Sequence, residues 1–210
     1  MYTLYGAQGA GSAMVEIALQ WTGRAYEIVP AASWEPGPGL DALSRANPLA
    51  QIPTLVRPDG GVLTESAAIL IALGLEHPAS GLLPEGPAER ALAIRGLVWV
   101  AANCYAAIGV IDYPERWLPP GADEAAREAL RAGTRARLHG LWEQFAETFP
   151  ARPVLGGEQP DALDLMACVV SKWSGARAHL ARARPAFSEL LGRIDRHPKV
   201  AEILERHWPG

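Results

Sequence analysis

The sequence predicts an α+β chain: a small β-α-β-α-β-β-α domain over residues 1–76, a linker over 77–87, and an all-helical domain over 88–210. Three observations lead there. Short β-prone runs alternate with helical spacing in the first third of the chain. A turn signal, Asp59-Gly60, stands between two apolar runs. Beyond the proline-rich stretch at 77–87, the apolar pattern is helical throughout.

Tyr2 to Tyr5 reads as a strand, followed by the small-residue run Gly6-Ala7-Gln8-Gly9-Ala10-Gly11. From Ser12, a candidate N-cap, the pattern Val15, Ala18, Leu19 is helical and closes at Gly23. Tyr26-Glu27-Ile28-Val29 supplies a second strand, and a βαβ unit of this length implies parallel strands with a right-handed crossover. A loop, Ser33-Trp34-Glu35-Pro36-Gly37-Pro38-Gly39, precedes a short helix over Leu40 to Ala46. Thr54 to Arg57 and Val62-Leu63 flank Pro58-Asp59-Gly60-Gly61 as a hairpin, and a helix runs from Glu65 to Glu76.

In the second domain, long helices are expected over Ala88–Asp112, Asp123–Phe149 and Asp161–Arg177. The second carries Leu130, Leu138, Leu141, Trp142, Phe145 and Phe149 as a core stripe; the third carries Leu165, Met166, Val169, Val170 and Trp173. Shorter helices over Pro185–Asp195 and Pro198–Arg206 complete it. A first domain this small has a marginal core and should lean on the second, which makes their junction a natural cleft.

Composition removes several function classes. The net charge is −4, and the densest basic group, Arg127, Arg131, Arg135 and Arg137, is interleaved with Glu124, Glu128, Glu143 and Glu147. That is a solvated helix face rather than a nucleic-acid footprint. Cys104 and Cys168 form no C-x-x-C, so they read as reduced structural thiols. The five histidines include no pair at i and i+4, and no metal site is expected. No apolar run reaches the roughly 20 residues of a membrane span, and Met1-Tyr2-Thr3-Leu4-Tyr5 lacks the basic start of a secretory leader. A cytoplasmic location is the resulting expectation. The small-residue run also fails both nucleotide fingerprints. Ser12-Ala13 follows Gly11 where a P-loop needs Lys and Ser/Thr, and Met14 takes the last glycine of a G-x-G-x-x-G. There is no G-x-S-x-G either.

Two stretches carry chemistry: Asn47-Pro48-Leu49-Ala50-Gln51-Ile52-Pro53-Thr54-Leu55 and Leu63-Thr64-Glu65-Ser66-Ala67-Ala68-Ile69-Leu70, on either side of the hairpin. Pro53 cannot donate to a ladder, so it belongs at a strand entry, with a cis bond as one option. A cis bond would turn the backbone N–H and C=O of Ile52 outward, free for an extended, peptide-like ligand. At the start of the Glu65 helix, free N–H groups and the helix dipole favour a carboxylate. The Ser66 hydroxyl can add a donor there, and Glu65 can accept from an ammonium. Together they suit an α-amino-acid head group.

These stretches resemble the Asn-Pro…Val-Pro-x-Leu and Glu-Ser-x-Ala-Ile motifs of the soluble, bacterial-type glutathione transferases. They stand here as Asn47-Pro48, Ile52-Pro53-Thr54-Leu55 and Glu65-Ser66-Ala67-Ala68-Ile69. The resemblance covers essentially the whole chain. It implies a thioredoxin-like first domain, a helical second domain, glutathione as co-substrate and a homodimer engaged in detoxification. By it, Ile52 would bond the cysteinyl backbone of glutathione beside a cis-Pro53. Glu65 and Ser66 would hold the γ-glutamyl head, with Gln51 and Trp34 near the glycine carboxylate. Gly156-Gly157-Glu158-Gln159-Pro160-Asp161-Ala162-Leu163-Asp164 is similar to a helix entry of the second domain, with Asp161 replacing the usual hydroxyl cap.

The thiol-activating group is less defined. The family uses Tyr, Ser or Cys in the first strand–helix segment. Here Gly11 occupies the place of the cysteine, and Gly9 and Ala10 that of the serine. Ser12 is the nearest hydroxyl and Tyr5 the strand-end tyrosine, so both are candidates, beside a backbone N–H or a water. Tyr105, Tyr113 and Trp117 are candidates for an electrophile pocket. The implied function is attack of the glutathione thiolate on a small hydrophobic electrophile, or glutathione-dependent reduction of a peroxide or disulfide. The alternative is a glutathione-binding or protein-interaction module that keeps the fold without catalysis.

Overall fold

The computed structural model describes residues 1–149, 155 and 159–209. Its sheet has the order β2-β1-β3-β4. β1 (Tyr2–Gly6) runs parallel to β2 (Tyr26–Pro30) and antiparallel to β3 (Thr54–Val56), which pairs in turn with β4 (Val62–Leu63). α1 (Ser12–Thr22) and α2 (Pro38–Ala46) connect the strands, and α3 (Ser66–Glu76) follows β4. The β-α-β-α-β-β-α order, the parallel first pair and the hairpin are those read from the sequence.

The remainder is helical. α4 (Pro87–Trp99) runs through a π-helical segment, Val100–Tyr105, into α5 (Ala106–Asp112). α6 (Glu124–Thr148) follows, capped by the Asp123 carboxylate, which accepts from Ala126 N at 2.8 Å. Then come α7 (Ala162–Val170), α8 (Ala176–Ala183), α9 (Pro185–Asp195) and α10 (Pro198–His207). Asp161 caps α7 in a reciprocal box. Its carboxylate accepts from Leu163 N and Asp164 N, while Asp164 accepts from Asp161 N. Gly156, Gly157 and Glu158, in the stretch leading to this cap, lie outside the described residues.

Two expectations need correction. The helix expected over 161–177 breaks after Val170, because Ser174 and Gly175 adopt positive φ (55° and 76°) and start α8 on a new axis. Trp173 therefore lies in the turn, half-buried and packed against the edge of the core. Ser12 is the first residue of α1 rather than its cap; Gly11 holds the cap position without any side-chain bond. The expectation that no apolar run reaches a membrane span stands, since polar residues interrupt the helical stretch Pro87–Asp112, although by length and mean composition that stretch could cross a bilayer. Here it buries Ala93, Leu97, Val100, Cys104, Ala107, Ile108 and Ile111 in the protein core.

α1 is the hinge of the architecture. It packs on β1, α3, α7 and α10, and every residue from Ser12 to Leu19 is buried. The single carboxylate in that run, Glu16, is answered from α10 by Arg206 Nη2 at 2.6 Å and His207 Nε2 at 2.9 Å. Gln8 Nε2 donates to the Arg206 carbonyl (2.9 Å), and Trp21 Nε1 donates to the Lys199 carbonyl (3.0 Å). The C-terminal helix is thus fastened along the length of α1, where it closes over the loop at Gly9.

Candidate functional site

A cleft of about 1020 Å³ opens between the sheet-bearing half and the helical half. Its first wall is built by the two stretches around the hairpin. The Ile52–Pro53 bond is cis. The preceding loop is fixed from beneath by Asn47 and Thr54, both buried. Thr54 Oγ1 donates to the Gln51 carbonyl at 2.7 Å. Asn47 Nδ2 donates to that carbonyl at 3.2 Å and to Thr54 Oγ1 at 3.0 Å, and Asn47 Oδ1 accepts from Leu49 N at 3.0 Å. This buried polar cage presents Gln51, Ile52 and Pro53 on the cleft surface.

Glu65 sits at the α3 cap position with φ 64° and ψ 111°, a backbone conformation that non-glycine residues rarely adopt and that clusters at ligand-holding sites. Its carboxylate makes no capping bond, so it remains available to the cleft. Ser66, buried at the first position of α3, lies beside it among the opening N–H groups of the helix. Trp34 reaches the rim of the same cleft from the β2–α2 loop and is 56% exposed.

The floor is Gly9, Ala10 and Gly11 at the N-terminus of α1, which carries no side-chain cap. The opposite wall comes from the helical half, with Tyr105, Asp112, Tyr113, Arg116, Met166 and Trp173. The Tyr105 ring lies 5.5 Å from Trp173, and Trp173 lies 6.3 Å from Trp208, which approaches the loop at Gly9. Arg116 stacks its guanidinium 4.0 Å over Tyr113. Burial pushes the Tyr105 hydroxyl up to about 12, with the Asp112 and Glu65 carboxylates adding to the effect. Burial also raises the Asp112 carboxyl.

Of the residues singled out from sequence, Trp34, Gln51, Ile52, Pro53, Glu65, Ser66, Tyr105 and Tyr113 converge on this cleft. Ser12, Tyr5 and Trp117 are not among its lining residues. Ser12 is 2% exposed, and its hydroxyl turns back into the loop, donating to the Ala7 carbonyl (3.1 Å) and accepting from Ala7 N (3.2 Å). It fills the space above Gly6, where a Cβ would come within 2.6 Å of its oxygen. Tyr5 is held in β1 between Val29 and Thr54. Trp117 follows the short 3₁₀ turn Pro114–Arg116 and is 63% exposed. Sequence reading passed over Asp112, Arg116, Met166 and Trp173. For Trp173 the signal was present in Ser174-Gly175, a helix break that turns an apparent core residue toward the cleft.

Residues 12–75 match the family model for the glutathione S-transferase N-terminal domain. The chain is 30% identical over 208 residues to YncG, an uncharacterized GST-like protein of Escherichia coli K12, covering 99% of this chain and 98% of that one. Among solved structures it is similar to a sphingomonad glutathione S-transferase complexed with glutathione (25% identity, TM-score 0.70, covering 99% of this chain and 100% of that chain). It is similar also to a Methylobacterium radiotolerans glutathione S-transferase in complex with glutathione sulfonate (27% identity, TM-score 0.75, covering 97% and 94%). With its thioredoxin-like sheet domain joined to a helical domain, the chain belongs to the glutathione S-transferase family.

Proposed function

We propose that this protein binds reduced glutathione in the interdomain cleft and activates its thiol for attack on a small hydrophobic electrophile, or for reduction of a peroxide or disulfide. The observation that carries this reading is the convergence of three backbone features on one cleft: Ile52 before cis-Pro53, the Glu65-Ser66 entry to α3, and the uncapped start of α1. The γ-glutamyl ammonium suits the Glu65 carboxylate, and its carboxylate suits Ser66 with the opening N–H groups of α3. The cysteinyl unit lies along Ile52 as an added extended strand. The glycine carboxylate falls toward Gln51 and Trp34.

This pose directs the sulfur to Gly11, at the positive end of the α1 dipole, which favours a thiolate. Tyr105, Tyr113, Met166 and Trp173 then provide an aromatic and apolar surface for the second substrate. We further propose a cytoplasmic homodimer with a detoxifying role. The apolar side chains Val62, Leu75, Leu92 and Val98, exposed on β4, α3 and α4, support an interface there, and sedimentation at two concentrations tests it.

A second reading, glutathione binding without catalysis, is favoured by one observation: the Ser12 hydroxyl is committed to Ala7. Initial-rate assays with glutathione and an activated aryl halide, an organic hydroperoxide and a mixed disulfide separate the two. Saturable turnover of any of them supports the enzyme, whereas binding with no turnover of all three supports the binding module.

A further inference from the structure

The first loop brings no side-chain hydroxyl or thiol into the cleft: Ala7, Gly9, Ala10 and Gly11 have none, and Ser12 faces away. A hydroxyl nevertheless stands at the start of α1. The Tyr105 oxygen lies 2.2 Å from where a Cβ on Gly11 would be, so it occupies the volume that a side chain at position 11 would take. Among the described residues, and apart from Gly11's own chain neighbours, no other atom approaches that point as closely; the next are Tyr105's own ring carbons, at 3.2 and 3.4 Å.

The delivery of this hydroxyl is built into the helical half. α4 switches to π-helical winding over Val100–Tyr105, and the widened turn ends on Tyr105 itself. Such segments inside α-helices are frequent at functional sites, because one extra residue re-aims the side chains that follow. Asn103 Nδ2 donates to the Trp99 carbonyl at 3.0 Å, satisfying an acceptor within the altered turn. The ring is seated against Trp173, tilted by 32°. Among the described residues the Tyr105 hydroxyl has no hydrogen-bond partner, so its proton is available to a ligand.

We propose that Tyr105, supplied by the helical half of the chain, is the catalytic donor that bonds the glutathione sulfur, in the place left open by Gly11. The inference rests on the glutathione reading above. In the step it assists, the S–H proton leaves to water and the Tyr105 O–H keeps its own proton while donating to the sulfur anion. In a displacement, the sulfur lone pair then forms the S–C bond as the leaving group departs with the electrons of the bond it breaks. With its own ionisation pushed up to about 12 by burial, Tyr105 stays protonated throughout the neutral range. Gly11 is required because any β-carbon would displace the hydroxyl.

The test is a pH titration of the ultraviolet thiolate absorbance of bound glutathione in the full-length protein, for wild type, Tyr105→Phe and Gly11→Ala. Phenylalanine keeps the ring against Trp173, and glutathione affinity measured at acidic pH, where the thiol is protonated, reports whether the site is intact. Loss of one hydrogen bond to a charged acceptor should raise the thiolate midpoint by about one to two pH units in Tyr105→Phe. Gly11→Ala should move it in the same direction. Turnover at neutral pH should then fall about 10- to 100-fold through kcat, with KM for glutathione little changed. A Tyr105→Phe midpoint equal to wild type, with glutathione bound equally well, overturns the role of Tyr105 and leaves the glutathione reading standing. Failure of the wild type to bind glutathione overturns both.

Discussion

The clamp between α1 and α10 rests on Glu16, and its removal has a magnitude that the geometry sets. The Glu16 side chain is 5% exposed and faces His207, 9% exposed, and Arg206, 57% exposed. The Arg206 arm is largely solvated, so its share is that of a surface pair, about 0–1 kcal/mol. The His207 arm is a buried hydrogen bond to a charged group, about 1.5–3 kcal/mol. Glu16→Ala is therefore expected to cost about 1.5–4 kcal/mol. For a chain of this length, each kcal/mol lowers Tm by about 2–4 °C, giving a drop of about 3–16 °C. The assay is thermal unfolding by circular dichroism on Glu16→Ala, His207→Ala and Arg206→Ala, with hydrogen exchange across α10 as the local readout. The expected order of destabilisation is Glu16→Ala, then His207→Ala, then Arg206→Ala. A loss in Arg206→Ala equal to that in Glu16→Ala would refute the reasoning from burial, as would a Glu16→Ala protein that melts within about 1 °C of wild type.

Two further outcomes concern stability. Asp161→Ala removes the acceptor for two α7 N–H groups and should cost about 1–2 kcal/mol in chemical denaturation, while Asp161→Ser should restore most of it, since both are good caps. Burial holds the His139 imidazole below its usual value, outweighing the Ser174 carbonyl it bonds at 3.1 Å, and the charges of His179, Arg135 and Arg182 act in the same direction as burial. The folded protein thus resists a proton that the unfolded chain accepts. Stability should be unaffected by this group above about pH 6.5 and fall as pH drops below it, with a slope of at most about 1.4 kcal/mol per pH unit. His139→Gln should flatten that part of the profile in denaturation midpoints collected across it; an unchanged slope would remove His139 as its source.

What could be read from sequence was what short-range chemistry determines. Asp59-Gly60 set the hairpin, Ser12–Leu19 the buried helix, and Pro53 and Glu65-Ser66 the backbone that lines the cleft, because each depends on φ, hydrogen-bond capacity or periodicity within a few residues. The failures came where partners lie far apart in the chain or where a side chain's direction decides. Ser12 had the right residue type and position for a donor. The absence of a Cβ at Gly6 lets its hydroxyl fold back onto Ala7, a matter of side-chain direction that spacing does not carry. Tyr105 reads from sequence as a pocket residue and does line the cleft; what spacing does not carry is its approach to Gly11, which depends on a π-helical turn far downstream of the loop. Trp117 looked like a pocket aromatic by proximity to Tyr113, but the 3₁₀ turn at Pro114–Arg116 carries it into solvent.

The claim on which the rest depends is that the cleft holds reduced glutathione through Glu65 and Ser66. Titration calorimetry of the intact protein with reduced glutathione tests it most directly, with Glu65→Ala/Ser66→Ala as the comparison. Saturable binding by the wild type is expected, and its loss in the double variant, whose fold is checked by circular dichroism. No heat of binding to the wild type at millimolar glutathione, or equal affinity in the two proteins, would contradict it.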